Sequence, residues 1–400
     1  MGKNKIKIAG IILFCTLLGA CGLSFYIKPQ EEYSDLENRL LQTRPELVLE
    51  EFFDGSYQEH YEAYLNDQMP GRDGWVRAAA KMEQLVGKTD INGVYIGKDG
   101  YLLEKFDAAS YDAAHVKENI AFLSRFLNAA VQRYGKERVS CMILPDKAGV
   151  MTDKLPAYAA DSTVQEKEAL AGLKQSLDEP DILLDMQPEL FKHQDAYLYY
   201  RTDHHWTTLG AYYAYQKWAD QTGHKASSLD SFQIETVFDD FYGTSYNKAH
   251  IQVPMDRIEL FHSPFEDGIT VDDGENVSAS FYDLEAATEG FDRYRVFFSK
   301  NTAKIRITTK AAAGRSLLVV KDSFANCFVP FLAGDYEEII MVDCRYGNEN
   351  VNDILKQHDE ITDILVLYNI RKFMQDKNLD KLDNEAGGME EFDAESFFDS

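Results

Sequence analysis

From about residue 112 onward, short apolar runs of strand length alternate with helical patterns, and this alternation restricts the possible folds more than any other feature of the chain. Val139–Leu144, Ser316–Val320, Glu338–Val342 and Asp363–Leu367 are nearly continuous apolar runs, and Ile182–Leu184 is a shorter one. A strand with no polar face must be covered on both sides, and sheets covered on both sides are built from parallel strands joined by crossover helices. The segments between the runs supply those helices: Ala113 to Tyr134, ended by Gly135, then Val164 to Leu177, then Asn352 to His358. The pattern predicts an α/β domain with a parallel central sheet. Ligands of such sheets gather at the carboxyl ends of the strands.

The α/β pattern spans residues 111–375 of 400. Within it, about 223–310 changes character: Arg257–His262, Val277–Tyr282 and Lys304–Thr308 alternate in the β manner among Gly, Asp and Asn clusters, which reads as a β-rich insertion. Residues 31–110 form an N-terminal segment, with helical patterns at Phe52–Asn66 and Gly74–Val86 and a hairpin signal at Gly93–Leu103 around Lys98-Asp99-Gly100. Residues 376–400 are an acidic tail. Residues 1–30 carry Lys3, Lys5 and Lys7 ahead of the apolar run Ile8–Ile27, long enough as a helix to cross the roughly 30 Å core of a bilayer. Basic residues before the run and acidic sequence after it place the bulk of the chain outside the cytoplasm. Leu18-Gly19-Ala20-Cys21 also has the form of a lipobox, so the expectation is a single membrane anchor or a lipoprotein attached through Cys21.

A hydrophobic fraction of 45% belongs to a folded chain, and a net charge of -26 argues against a nucleic-acid partner, because phosphate binding requires clustered Lys and Arg. Cys141, Cys327 and Cys344 are isolated and flanked by apolar residues, without the spacing of a zinc site. They read as small buried hydrophobes, with a Cys141–Cys344 disulfide left open.

Nine histidines are a sparse supply, and two stand together in Thr202-Asp203-His204-His205-Trp206-Thr207. An Asp–His pair can act as a general base and its orienter. Side chains at i and i+2 do not face each other on a helix, so Asp203 and His205 converge only if residues 202–206 form a loop. Thr207 is then the N-cap of the helix that follows. Taken alone, the motif fits catalysis, a metal site or structural histidines; a metal would need further ligands, and no obvious set lies nearby. A second feature sharpens the choice. The run Leu317–Val320 leads directly into Lys321-Asp322-Ser323, a serine at the carboxyl end of a strand entering a helix. Serine is a poor nucleophile without a base to take its proton. Each half supplies what the other lacks.

Asp203-His204-His205-Trp206, with Glu37-Asn38-Arg39-Leu40 and Asp322-Ser323-Phe324, resembles the DHHW family of bacterial exported proteins, which is similar to the SGNH-type domains of the AlgX/AlgJ-like alginate O-acetylation proteins. The resemblance implies an SGNH-hydrolase-like fold in which Asp and His precede Ser, the reverse of ordinary SGNH esterases and so a circularly permuted motif order. It implies Ser323 as nucleophile, His205 as base and Asp203 as its orienting carboxylate. Asn369 is the candidate oxyanion Asn and Gly243 the candidate Gly. Arg345 is a possible substrate contact, and Trp206 either a core wedge or a face for a sugar ring. Lys321 departs from the pattern, standing where SGNH esterases have Gly. The implied activity is O-acetyl transfer to a cell-surface or exported polysaccharide, with no metal or organic cofactor, and with a membrane O-acyltransferase partner supplying acetyl groups. A carbohydrate acetylesterase with the same three residues, and a non-catalytic polysaccharide-binding scaffold, are the alternatives.

Overall fold

The computed structural model describes residues 2–34, 39–106, 111–157, 159, 163–289, 292–311 and 314–383. Glu37-Asn38 and the tail from 384 lie outside the described residues, as do the side chains of Cys21 and Arg39. The chain divides into two units, Met1–Asn92 with Tyr246–Gln252, and Gly93–Ser245 with Val253–Ser400.

In the first unit, helix α1 (Gly2–Ile27) contains a stretch, Lys7–Phe25, with mean hydropathy 2.2, long and apolar enough to cross a membrane. The single helix expected at Phe52–Asn66 is two, α2 (Leu49–Asp54) and α3 (Ser56–Asp67), because Gly55 between them takes φ 94°, a left-handed conformation that ends one helix before the next begins. Helix α4 (Arg72–Leu85) follows.

The second unit opens with an antiparallel hairpin, β1 (Val94–Ile96) and β2 (Leu102–Glu104), turned through Asp99 at φ 57°. Helix α5 (Ala113–Tyr134) is capped by the Asp112 side chain, which accepts from the Ala114 and His115 N–H groups. Strand β3 (Val139–Leu144) and helix α6 (Val164–Gln175) come next, then α7 (Thr208–Thr222). A bulged hairpin of β4 (Gln233–Phe241) and β5 (Asp256–His262) forms a sheet of its own. The later strands and the main helices between and after them are β6 (Thr270–Asp272), β7 (Val277–Ser278), β8 (Lys304–Thr308), β9 (Ser316–Lys321), β10 (Glu338–Val342), α8 (Val351–Gln357), β11 (Asp363–Asn369) and α9 (Ile370–Gln375), with other short helices and helical turns elsewhere.

The central sheet has seven strands in the order β7-β6-β8-β10-β9-β11-β3. The four apolar runs form its parallel half: Val320 lies opposite Val342 on one side and Val366 on the other, and Asn369 lies opposite Leu144. Alternate residues of β9 enter different cores. Leu317 and Val319 pack with Trp206, Tyr215 and Trp218, whereas Leu318 and Val320 pack with Leu123, Leu127 and Leu173. Both faces are therefore dry, and each fully buried Leu or Val contributes about 1.5–3 kcal/mol.

Two expectations need correction, and the open question of a Cys141–Cys344 disulfide is answered. The sheet is mixed rather than wholly parallel, because β6, β7 and β8 of the β-rich stretch join it antiparallel through β8 against β10. Ile182–Leu184 is no strand of the sheet: Pro180, which has no N–H to donate, starts a 3₁₀ turn, and only Leu183 bridges to Cys141. Cys141 and Cys344 are both free and buried. They lie on β3 and just past β10, three strand spacings apart or roughly 14 Å, beyond the reach of a disulfide.

Candidate active site

The sheet places Ser323 just past the carboxyl end of β9, where Asp322 caps a 3₁₀ helix (Ser323–Cys327) by accepting from the Phe324 N–H. The other Asp322 oxygen accepts from the N–H of Asn369 at 2.8 Å, tying the ends of β9 and β11 together. The Asp203 loop reaches this point from the far side. Tyr199 and Trp206 form an antiparallel bridge, and the residues between them bend so that the i and i+2 side chains converge. Thr207 caps α7 by accepting from the Gly210 N–H, as the sequence predicts.

The result is a continuous chain of hydrogen bonds. His205 Nδ1 lies 2.6 Å from Asp203 Oδ1, and His205 Nε2 lies 2.7 Å from Ser323 Oγ. Asp203 Oδ1 also accepts from the His205 N–H, while Oδ2 accepts from the Thr244 N–H at 2.8 Å and the Thr244 hydroxyl at 2.9 Å. Burial alone would raise the Asp203 carboxyl. The neighbouring His204 and His205, with the hydrogen bonds from His205 and Thr244, outweigh it and hold the group well below the usual carboxylate range. With a carboxylate accepting at Nδ1, the neutral His205 carries its proton there and presents a lone pair to Ser323.

His205 is clamped between two rings. Tyr294 stacks on one face with ring centres 3.9 Å apart and planes 9° off parallel, and His204 lies 3.9 Å away at 36°. The Tyr294 hydroxyl donates to the Ser323 carbonyl at 3.1 Å. His204 Nδ1 lies 2.6 Å from the Thr244 hydroxyl oxygen. Burial, with His205 adjacent, pushes the His204 imidazole down to about 3. Asp203, His204 and His205 bring three metal-capable donors within 4.8 Å of one another, but both Asp203 oxygens and His205 Nε2 are committed to the hydrogen bonds above.

Four residues without a sequence motif hold the loop. Lys147, buried just beyond β3, donates from Nζ to the carbonyls of Tyr200 (3.0 Å), Arg201 (3.3 Å) and Asp203 (2.7 Å). Asp256, fully buried, accepts from the Arg201 and Thr202 N–H groups and from the Thr202 hydroxyl. Thr244 and Tyr294 complete the set. Only Lys147 carried a signal, in Pro145-Asp146-Lys147 at the carboxyl end of an apolar run, where site residues of such sheets collect.

The weaker candidates fare differently. Asn369 stands at the end of β11, beside Asp322; its Oδ1 caps α9, and its Nδ2 is buried with no hydrogen-bond partner among the described residues. The Gly243 N–H is already donated to Thr202 Oγ1 at 3.0 Å. What the position requires is the missing side chain, since a Cβ there would fall 2.2 Å from the Asp203 Cβ. Trp206 is fully buried, donates to the Phe324 carbonyl at 2.9 Å and stacks near Phe328, so it is a core wedge with no face for a sugar. Arg345 holds the buried Asp343 with two hydrogen bonds (2.8 and 2.7 Å) and acts electrostatically on Asp322 beside Ser323. Lys321 is buried beneath Ser323, bonded to Asn326 and Asn301, and burial lowers its pKa against the pull of Asp343. A cavity of about 770 Å³ lined by Phe106, Tyr111, His115, Phe122 and Arg371 shares no lining residue with this cluster.

A family model for DHHW proteins matches residues 88–342, more than half of the chain. The chain belongs to the DHHW protein family. A solved DHHW family protein from Eubacterium siraeum is similar with a TM-score of 0.60 at 23% identity, covering 73% of this chain and 95% of that one. Bacillus cereus PatB1 is similar with a TM-score of 0.57 at 18% identity, covering 72% and 98%. At these identities the likeness is one of fold. The probable alginate O-acetylase AlgJ of Pseudomonas putida is 28% identical over 169 residues, 41% of this chain and 41% of that protein. The DHHW chain thus spans less than half the length of that curated relative.

Proposed function

We propose that the protein is an extracytoplasmic O-acetyltransferase acting on a cell-surface or exported polysaccharide through an acetyl-serine intermediate. The observation that carries this reading is the unbroken Asp203–His205–Ser323 chain, 2.6 and 2.7 Å long at its two links. The AlgJ likeness favours acetyl transfer over other acyl chemistry. In the first half-reaction His205 Nε2 takes the Ser323 proton as Oγ attacks the acetyl carbonyl of the donor. The C–O bond forms, the tetrahedral oxyanion collapses, and the donor's leaving group departs with the proton from His205. In the second half a sugar hydroxyl loses its proton to His205, attacks the acetyl-serine and leaves as the O-acetyl sugar, while Ser323 recovers its proton. Asp203 holds the tautomer and stabilises the transient imidazolium. Asn369 Nδ2, buried beside Asp322 and without a hydrogen-bond partner among the described residues, is our candidate donor to the oxyanion.

Helix α1 suits a membrane anchor for this unit, and a membrane O-acyltransferase that passes acetyl groups outward is the partner such chemistry requires. The order Asp203, His205, Ser323 along the chain is read as a circular permutation of the SGNH arrangement. The domain limits expected from the sequence, 31–110, 111–375 and 376–400, belong to the same proposal.

The test is mass spectrometry after brief exposure of the protein to p-nitrophenyl acetate. The peptide containing Ser323 is expected to gain one acetyl group, with labelling suppressed in His205→Ala and abolished in Ser323→Ala. Undiminished acetyl transfer by Ser323→Ala, or a label consistently on another residue, would sink the mechanism.

A further inference from the structure

His204 is the one ring of the cluster that the mechanism above leaves without a task, and its hydrogen bonds fix what it can do. The Thr244 hydroxyl has a single proton, and it is donated to Asp203 Oδ2. Toward His204 that oxygen can only accept, so the proton of the imidazole sits on Nδ1. Nε2 of His204 is then a bare acceptor. It has no hydrogen-bond partner among the described residues, and the side chain is 22% exposed. Burial keeps the ring neutral at working pH, since its pKa is about 3.

The two imidazoles are also immediate neighbours, tilted 36° to each other. His205 Nδ1 is anchored on one oxygen of Asp203, and His204 Nδ1 on the hydroxyl bound to the other oxygen. The ring centres lie 3.9 Å apart, so the bare Nε2 of His204 belongs to a ring packed directly against the one that faces Ser323. One Nε2 faces Ser323 and takes protons; its neighbour can only receive a hydrogen bond. On a sugar ring, the hydroxyl on the carbon next to the reacting one is the nearest group that such a neighbouring acceptor can meet. Glu104 and Lys372 are the charged groups that act on His204 from the surrounding elements.

We propose that His204 binds the acceptor by receiving a hydrogen bond from the hydroxyl next to the one being acetylated, which makes the enzyme selective for vicinal diols. This rests on the acetyl-serine reading and adds the acceptor's chemistry to it. In the second half-reaction one hydroxyl gives its proton to His205 Nε2 and forms the new ester bond. The Ser323 Oγ–acetyl bond breaks, and His205 returns the proton to Oγ. The adjacent hydroxyl keeps its proton throughout and donates it as a hydrogen bond to His204 Nε2.

The experiment uses the full chain in detergent, with p-nitrophenyl acetate as donor and either trans-1,2-cyclohexanediol or cyclohexanol as acceptor. Acetylated alcohol is measured by gas chromatography. The diol-to-monool ratio is internal to each variant, so a general loss of activity or folded protein cancels. After correction for its two hydroxyls, the wild-type ratio is expected near tenfold, the size of one hydrogen bond to a neutral acceptor. His204→Phe, which keeps a ring against His205, is expected to bring the ratio to about one. His204→Gln, whose amide oxygen can still accept, is expected to recover part of it. A wild type without preference for the diol (transfer to neither alcohol included), or a His204→Phe variant with the wild-type ratio, overturns the proposal. Absence of both a nitrophenol burst and an acetyl group on Ser323 overturns the acetyl-serine reading itself, and that result is separate because it involves no acceptor.

Discussion

Replacing Lys147 with Met removes an ammonium and leaves a side chain of similar length. The wild-type Nζ holds three carbonyls of the Asp203 loop, at 2.7 to 3.3 Å. The Arg201 carbonyl also accepts from the Leu102 N–H at 2.8 Å, so Lys147→Met strands only those of Tyr200 and Asp203. A buried carbonyl left without a donor costs about 1–3 kcal/mol. Against that stands the relief of no longer burying a cation, whose pKa is lowered by that burial. The net expectation is a loss of about 2–4 kcal/mol. Turnover should fall further than stability, because a loop shift of about 1 Å at Asp203 costs on the order of 10²-fold in rate. Urea unfolding and p-nitrophenyl acetate hydrolysis, the latter well below the melting temperature, test both parts. An unchanged midpoint with unchanged turnover refutes the argument. A lower midpoint with normal turnover would leave Lys147 a stabiliser that does not position the loop.

Gly243→Ala places a methyl group 2.2 Å from the Asp203 Cβ, so the carboxylate must move; turnover should drop by roughly 10²-fold, and a variant with normal turnover would remove the packing argument. Arg345→Ala leaves the fully buried Asp343 with Lys321 Nζ at 3.7 Å as its remaining cation and should cost about 3–5 kcal/mol in urea unfolding. Unchanged stability with a raised KM for an acceptor would return Arg345 to substrate binding. His204, lowered in the fold from 6.5 to about 3, makes stability fall as pH drops below 6.5, because the unfolded chain takes a proton that the folded one refuses. The loss should reach roughly 3 kcal/mol at pH 4. Urea midpoints at pH 7, 5.5 and 4 should show this slope reduced in His204→Phe.

The parallel half of the sheet was legible because β3, β9, β10 and β11 are buried on both faces, and double burial writes itself as apolar runs. Of the antiparallel half, β8 and β7 were legible within Lys304–Thr308 and Val277–Tyr282, whereas β6 has three residues, too short for a period to register, and no pattern shows that these strands join the central sheet. Ile182–Leu184 misled for the opposite reason, since a buried apolar triplet needs no strand geometry. Asp203, His205 and Ser323 could be paired on paper because serine needs a base and histidine an orienter. Their supports could not. Lys147 is 56 residues from Asp203, Asp256 is 54 from Thr202 and Tyr294 is 29 from Ser323, and none stands in a pattern with its partner. Gly243 was singled out for its N–H, whereas the structure uses its lack of a side chain, a requirement visible only once Asp203 lies against it.

The clamp on His205 by Tyr294 and His204 has a kinetic consequence. A ring held on both faces and bonded at both nitrogens cannot swing from an entering group toward a departing one. In the proposed acetyl-serine cycle, one immobile nitrogen must then serve both halves, and whatever exchanges protons with it must occupy the same small volume beside Ser323. The donor's leaving group and the incoming hydroxyl therefore exclude each other. Initial rates against both substrates should give parallel double-reciprocal lines, and each substrate in excess should inhibit competitively against the other.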